Sequence, residues 1–118
     1  AILITGQHHS RELITSSMVL FSVLKMLHGG IVHEDPYYSR LLASTKFYVI
    51  PTVNVDGLVY IENEFVHNGT VPEKRTNLNI RRAECKGNVD GGVDLNRNYE
   101  FGFTQGAADV ECEGYTFH

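Results

Sequence analysis

Ala1-Ile2-Leu3-Ile4-Thr5-Gly6-Gln7-His8-His9-Ser10-Arg11-Glu12 is the stretch on which the reading of this chain turns. Its first five residues make a short continuous apolar run, the composition of a strand buried in a parallel sheet, and Gly6 ends it. Beyond it, Leu13, Ile14, Ser17, Met18, Phe21, Leu24 and Leu27 recur at three- and four-residue spacing, which predicts one face of a helix. Gly29-Gly30 is expected to close that helix. Asp35-Pro36 reads as an N-cap followed by proline at the first helical position of a short helix, with Leu41 and Leu42 as its buried residues. Phe47 to Val53 is a second apolar run, rich in β-formers, and Pro51 suits its end. Strand, helix, short helix and strand follow one another, the rhythm of an α/β unit. After Gly57 the periodicity loosens, and residues 63–92 read as a long surface excursion. Order resumes at Gly92-Val93-Asp94-Leu95.

The 118 residues amount to one domain, 1–118, and 42% hydrophobic with 20% charged residues is enough apolar material for a core, which excludes a disordered chain. A net charge of −4 with no basic block argues against nucleic acid as a partner. Leu13 to Leu24 holds only twelve residues, four of them hydroxylic, so no transmembrane segment is expected there. The chain opens on an apolar run without Met or a basic leader and stops without a cap, so it reads as a piece of something longer. Oligomeric state leaves no trace in the sequence. Cys85 and Cys112 show no CxxC spacing; taken alone they read as free thiols rather than as a bridge. Asn68-Gly69-Thr70 is a glycosylation sequon, a hint of secretion.

Two short patterns carry chemistry. His9 and Glu12, three apart, can bring an imidazole and a carboxylate to one point in a first helical turn, and both are ordinary zinc ligands. The plain alternative is an ion pair at a helix start, and a catalytic zinc site needs a third protein ligand. Asn96-Arg97-Asn98 could be a turn with a solvated charge. It could also clamp a carboxylate, since the planar arginine fork takes one bidentately and asparagine adds a neutral donor.

Three motifs occur in order: Gly6-x-His8-His9-Ser10-Arg11-Glu12, Pro51-x-x-Asn54-x-Asp56-Gly57 and Gly92-Val93-Asp94-Leu95-Asn96-Arg97-Asn98-Tyr99. Together they resemble the N-terminal half of the catalytic domain of the zinc metallocarboxypeptidases of the carboxypeptidase A and B type. The resemblance covers nearly the whole chain. It implies an α/β fold with a mixed, largely parallel sheet flanked by helices, here incomplete, and Zn2+ as cofactor. Residue by residue it implies that His9 and Glu12 are the first two zinc ligands, that Arg11 contacts substrate upstream of the scissile bond, and that Asn96 and Arg97 hold the C-terminal carboxylate of a peptide or protein substrate. His8 has no role in the family pattern and reads as a loop residue.

The family's carbonyl-polarising arginine sits in an Arg-Lys-Asn or Arg-Lys-Thr string, where this chain has Lys74-Arg75-Thr76-Asn77. Aligning Asn77 with the third position gives Arg75, whereas counting back from Cys85 gives Lys74. Arg75 is the better electrophile, because a guanidinium stays charged and donates two bonds. Arg81 and Arg82 read as solvated charges. By resemblance the third zinc histidine, the general-base glutamate, the covering tyrosine and the specificity-pocket residue all lie beyond residue 118. His28, at a helix end, His33 and His67, in loops, and His118 are better read as surface residues than as that third ligand. The 118 residues alone are therefore expected to be inactive and to bind zinc weakly. The resemblance also implies a Cys85–Cys112 disulfide and, with the sequon, a secreted or otherwise oxidising location. The competing readings are a related zinc amide hydrolase, such as an acylamino-acid deacylase or a deglutamylase, and a non-catalytic binding module on the same fold.

Overall fold

The computed structural model describes residues 1–78 and 92–100. The chain divides into two compact units, Ala1–Gln7 with Leu13–Val53 and His8–Glu12 with Asn54–His118. The first holds strand β1 (Ile2–Thr5), helix α1 (Ile14–Leu27), a π-helical turn (His28–Val32), helix α2 (Pro36–Ser44) and strand β2 (Phe47–Ile50). The expected order is therefore present. The strands pair in parallel, Ile2 opposite Phe47 through Thr5 opposite Ile50. The ladder runs on past them, Gly6 N–H donating to Ile50 O and Val53 N–H to Gly6 O, each at 3.0 Å. Among the described residues the sheet has these two parallel strands and shows none of the mixed character that the resemblance implies.

Gly6 is required by packing. A Cβ there would lie 2.7 Å from Pro51 O and 3.0 Å from both Thr15 O and Val19 Cγ2, where β1, β2 and α1 converge. Val19 is the buried apolar residue of α1. Next to it, buried Gln7 adopts a left-handed backbone (φ 47°) and its Oε1 accepts from Ser16 Oγ at 2.7 Å and Thr52 Oγ1 at 3.3 Å. Thr15 and Ser16 of α1 thus face a polar junction at the strand ends.

The apolar face expected on α1 is present but largely uncovered: Phe21 is 60% and Leu24 65% exposed, with Leu13, Ile14, Met18 and Leu27 also exposed. The helix does not stop at Gly29-Gly30 either. It continues as the π turn, so the helical run Ile14–Val32 is 19 residues, long and apolar enough to cross a membrane, by a test that the core helix of a globular protein also passes. That corrects the shorter twelve-residue reading. The glycines serve close approach instead. A Cβ on Gly29 would meet the Tyr38 ring, and one on Gly30 would lie 2.6 Å from Leu42 Cδ1. Chain reversal falls to Glu34, at φ 52°. Asp35 then caps α2, its carboxylate accepting from Tyr37 N at 2.8 Å and Tyr38 N at 3.4 Å, with Pro36 at the first helical position. Leu41 and Leu42 are half-buried.

In the second unit, the stretch read as a loose excursion begins inside helix α3 (Val55–Asn68). Asn54 caps it, accepting from Gly57 N at 3.1 Å, and Gly69 ends it at φ 68° with its N–H on Phe65 O at 2.9 Å. His67 therefore belongs to the last turn of α3 and not to a loop. Among the described residues, Ile61 and Val93 are the buried apolar side chains of this unit. A 3₁₀ turn, Leu95–Arg97, follows the cap residue Asp94. Residues 79–91 and 101–118, which carry Arg81, Arg82, Cys85, Cys112 and His118, lie outside the described residues.

Replacing the α2 cap, Asp35→Ala, leaves two helix-start amides without their acceptor. The expected loss is about 1 kcal/mol, read as a lower denaturant midpoint of the full-length protein with an unchanged slope.

Candidate active site

The chemistry-bearing residues gather in the second unit because three short segments pair side by side. Arg11 N–H donates to Lys74 O at 2.9 Å and Ser10 N–H to Arg75 O at 3.4 Å. Further along, Asn77 N–H donates to Val93 O at 3.1 Å, and Val93 N–H returns to Asn77 Oδ1 at 2.8 Å. Residues 74–77 thus bridge the His9 turn to the Asp94 turn. Gly92, at φ 92°, permits this contact, because a Cβ there would collide with Asn77 O.

A buried polar network fixes the turn. Asn54 Nδ2 donates to His8 O at 3.0 Å and Ser10 Oγ at 3.1 Å, and Ser10 Oγ donates to Thr76 O at 2.8 Å. Asn54 and Ser10 are fully buried. Gly57 is glycine for the same reason, since any Cβ would run into Ser10 Oγ and the Asn54 amide.

His9 and Glu12 come together through a β-turn and not through a helix start. Glu12 N–H donates to His9 O at 3.1 Å, and α1 begins only at Ile14. His9 Nδ1 lies 2.8 Å from Glu12 Oε1, and His9 Nε2 lies 3.2 Å from Asp94 Oδ1. His9 and Asp94 are buried, 5% and 2% exposed, while the Glu12 carboxylate is partly open. Asp94 is the hub. Its Oδ1 also accepts from Asn96 N at 3.0 Å, and its Oδ2 accepts from Arg75 Nε at 2.6 Å.

Each ring nitrogen of His9 faces a carboxylate oxygen, and a carboxylate only accepts, so either nitrogen can be the donor. With the proton on Nε2, the Nδ1 lone pair is left on the Glu12 side, where an imidazole nitrogen and a carboxylate oxygen stand together. Imidazole and carboxylate with an outer carboxylate on the other ring nitrogen is a donor set that fits zinc. Among the described residues no cluster of three or more His, Cys, Asp or Glu side chains is placed to hold a metal.

The other sequence candidates fall as follows. Arg75 shares Asp94 with His9, whereas Lys74 is buried, with Nζ 3.0 Å from Thr76 Oγ1 and 5.7 Å from the centre of the Tyr60 ring. Arg11 reaches Glu73 at 3.4–3.5 Å, a solvated contact. Asn96 and Arg97 are exposed on the 3₁₀ turn, with Arg97 Nη1 on Asn96 O at 3.0 Å. Asp94 and Asn54 are the residues whose roles the sequence left unassigned; the signal for Asn54 was its cap position before Gly57. His8 lies in the loop ahead of α1, as expected, and its Nε2 is 2.6 Å from the Tyr99 hydroxyl.

A zinc carboxypeptidase family model matches residues 1–115. The chain belongs to the zinc carboxypeptidase family. Carboxypeptidase B of Astacus astacus is 32% identical over 113 residues, covering 94% of this chain and 32% of that protein. Inactive metallocarboxypeptidase ecm14 of Sclerotinia sclerotiorum is 32% identical over 108 residues, 91% of this chain and 16% of that protein. Carboxypeptidase O of Bos taurus is 29% identical over 109 residues, 92% of this chain and 26% of that protein. The chain thus spans about a third or less of the relatives it matches. No solved structure matches it.

Asn54→Ala should strip the acceptor from Gly57 N and the donor from two buried oxygens. With at least one buried group left unpaired, a loss of about 2–4 kcal/mol is expected, measured by equilibrium unfolding of the full-length protein. A change under about 0.5 kcal/mol would mean the network is not holding the turn.

Proposed function

We propose that the chain supplies part of the active site of a zinc-dependent carboxypeptidase that removes the C-terminal residue of peptides or proteins. The observation that carries this is the pair of bonds on Asp94, which set His9 beside Arg75 two residues ahead of Asn96 and Arg97. His9 Nδ1 and Glu12 Oε1 would hold the zinc, with a third ligand from outside the described residues. When bound, zinc lowers the pKa of a coordinated water and polarises the scissile carbonyl. Asp94 keeps the His9 proton on Nε2, so the Nδ1 lone pair is presented to the metal side. Arg75, fixed through Nε, offers its terminal nitrogens to the negative charge that develops on the carbonyl oxygen. Asn96 and Arg97 bind the free carboxylate at the chain end, which makes the reaction exopeptidic. Arg11 would contact the substrate on the upstream side. The glutamate that takes the water proton comes from elsewhere in the protein, as the family resemblance implies.

Secretion fits this reading through the Asn68 sequon, exposed at the end of α3, and through the Cys85–Cys112 pairing that the resemblance implies. A second reading has its own support. A relative matched at 32% identity is named inactive, so a member of this family can carry the fold without the activity.

The full-length protein, loaded with zinc, separates the two. Release of a C-terminal residue from a free-acid peptide, with slow turnover of its C-terminal amide, is the expected result. Equal turnover of acid and amide would remove the clamp from the account, and no turnover with a full zinc complement would favour the binding module. Arg97→Ala should reduce kcat/KM by about 2 kcal/mol or more, as loss of a charged partner does, at unchanged zinc content. Asp94→Asn should instead weaken zinc about 10- to 100-fold, read by competition with a chelator.

A further inference from the structure

His8 stands next to the proposed metal ligand and has no part in the proposed chemistry. Its Nε2 nevertheless lies 2.6 Å from the Tyr99 hydroxyl, with the two rings 5.9 Å apart and inclined at 54°. Tyr99 comes two residues after Arg97. At the other end of the same hexapeptide, Asp94 is bonded to His9. Two consecutive histidines therefore hold the two ends of the segment Asp94–Tyr99, and the exposed Asn96 and Arg97 lie between those ends on a single 3₁₀ turn.

A single turn is a weak element. Its internal backbone bonds are Arg97 N–H to Asp94 O at 3.0 Å and Asn98 N–H to Leu95 O at 3.4 Å. Long, exposed side chains on such a turn recognise a planar carboxylate only if the backbone beneath them is fixed, because a displaced fork loses the bidentate geometry. One anchor at Asp94 leaves rotation about that point. A second anchor at Tyr99 removes it. The His8 carbonyl is itself held, accepting from buried Asn54 Nδ2 at 3.0 Å. The His8 backbone thus leads back to the buried network, while its contact with Tyr99 is itself exposed.

We propose that His8 is a positioning residue, which through the Tyr99 hydroxyl fixes the Asn96–Arg97 turn for recognition of a free terminal carboxylate. It touches no reacting atom. The inference rests on the carboxypeptidase reading for the role of Asn96 and Arg97, and its partner is the carboxylate end of a peptide.

The test measures binding, so it does not depend on turnover. Full-length protein is titrated calorimetrically with a non-hydrolysable N-acylated dipeptide analogue, its scissile amide replaced by a ketomethylene group, that bears a free carboxylate, and with the corresponding terminal amide. Wild type should prefer the acid. Tyr99→Phe, which removes one hydroxyl and keeps the ring, should cut affinity for the acid about three- to tenfold, the worth of one hydrogen bond. It should leave amide affinity and zinc content unchanged. His8→Leu should do the same, and His8→Gln, whose amide nitrogen can stand where Nε2 stands, should restore most of the preference. The double variant His8→Leu/Tyr99→Phe should lose no more than either single one. Additive losses, or variants that keep the wild-type preference, would overturn the proposal. Absence of an acid preference in the wild type would overturn it together with the clamp. An acid preference without any hydrolysis would fault only the catalytic reading.

Discussion

Everything at the site depends on one buried carboxylate. Asp94 faces His9 Nε2, accepts from Arg75 Nε and from the Asn96 amide, and is almost wholly removed from solvent. A buried carboxylate is tolerable only when its charge is compensated and its lone pairs are filled. Here the compensation is functional. The charge that balances Asp94 is the guanidinium proposed for the oxyanion, and the ring that bonds to it is the proposed zinc ligand. Substitution at Asp94 would disturb ligand orientation, the electrophile and the clamp turn at once, so the three functions are coupled by electrostatics and not only by proximity.

The backbone serves that arrangement. Residues 74–77 pair with the His9 turn on one side and with Val93 on the other, and the Asn54–Ser10–Thr76 network locks the middle. Glycines stand where these segments approach too closely for a side chain, at Gly57 and Gly92. Outside the site the burial is thin. Apart from Val19, the apolar residues of α1 stand mostly open. This agrees with the family relationship, in which the chain covers about a third or less of its relatives.

How much was legible in the sequence follows from the range of the forces involved. β1, β2 and α2 are legible as elements because local signals specify them, namely apolar runs, Pro51 at a strand end and the Asp35-Pro36 cap; the burial expected of β1 is not present, since Ile2 and Leu3 stand exposed. Reading failed where a glycine has a tertiary purpose. Gly57 looked like a break and hid α3, although Asn54 and Gly69 already framed that helix. Gly29-Gly30 looked like a stop, but those residues make room for Tyr38 and Leu42. The motif residues His9, Glu12, Asn96 and Arg97 stand out by type and spacing, whereas Arg75 is reached only through the family resemblance, with Lys74 as its alternative. Asp94 and His8 do not stand out, because their partners are 85 and 91 positions away in the chain, and no local pattern announces a contact of that kind.

The central claim is that His9, held beside Asp94, is a ligand of the metal. Zinc-edge X-ray absorption on the full-length protein examines that bond directly. The account predicts a shell of nitrogen and oxygen at about 2.0–2.1 Å with imidazole scattering, and one imidazole fewer in His9→Ala. A shell containing sulfur at about 2.3 Å, or one that His9→Ala leaves unchanged, would contradict it.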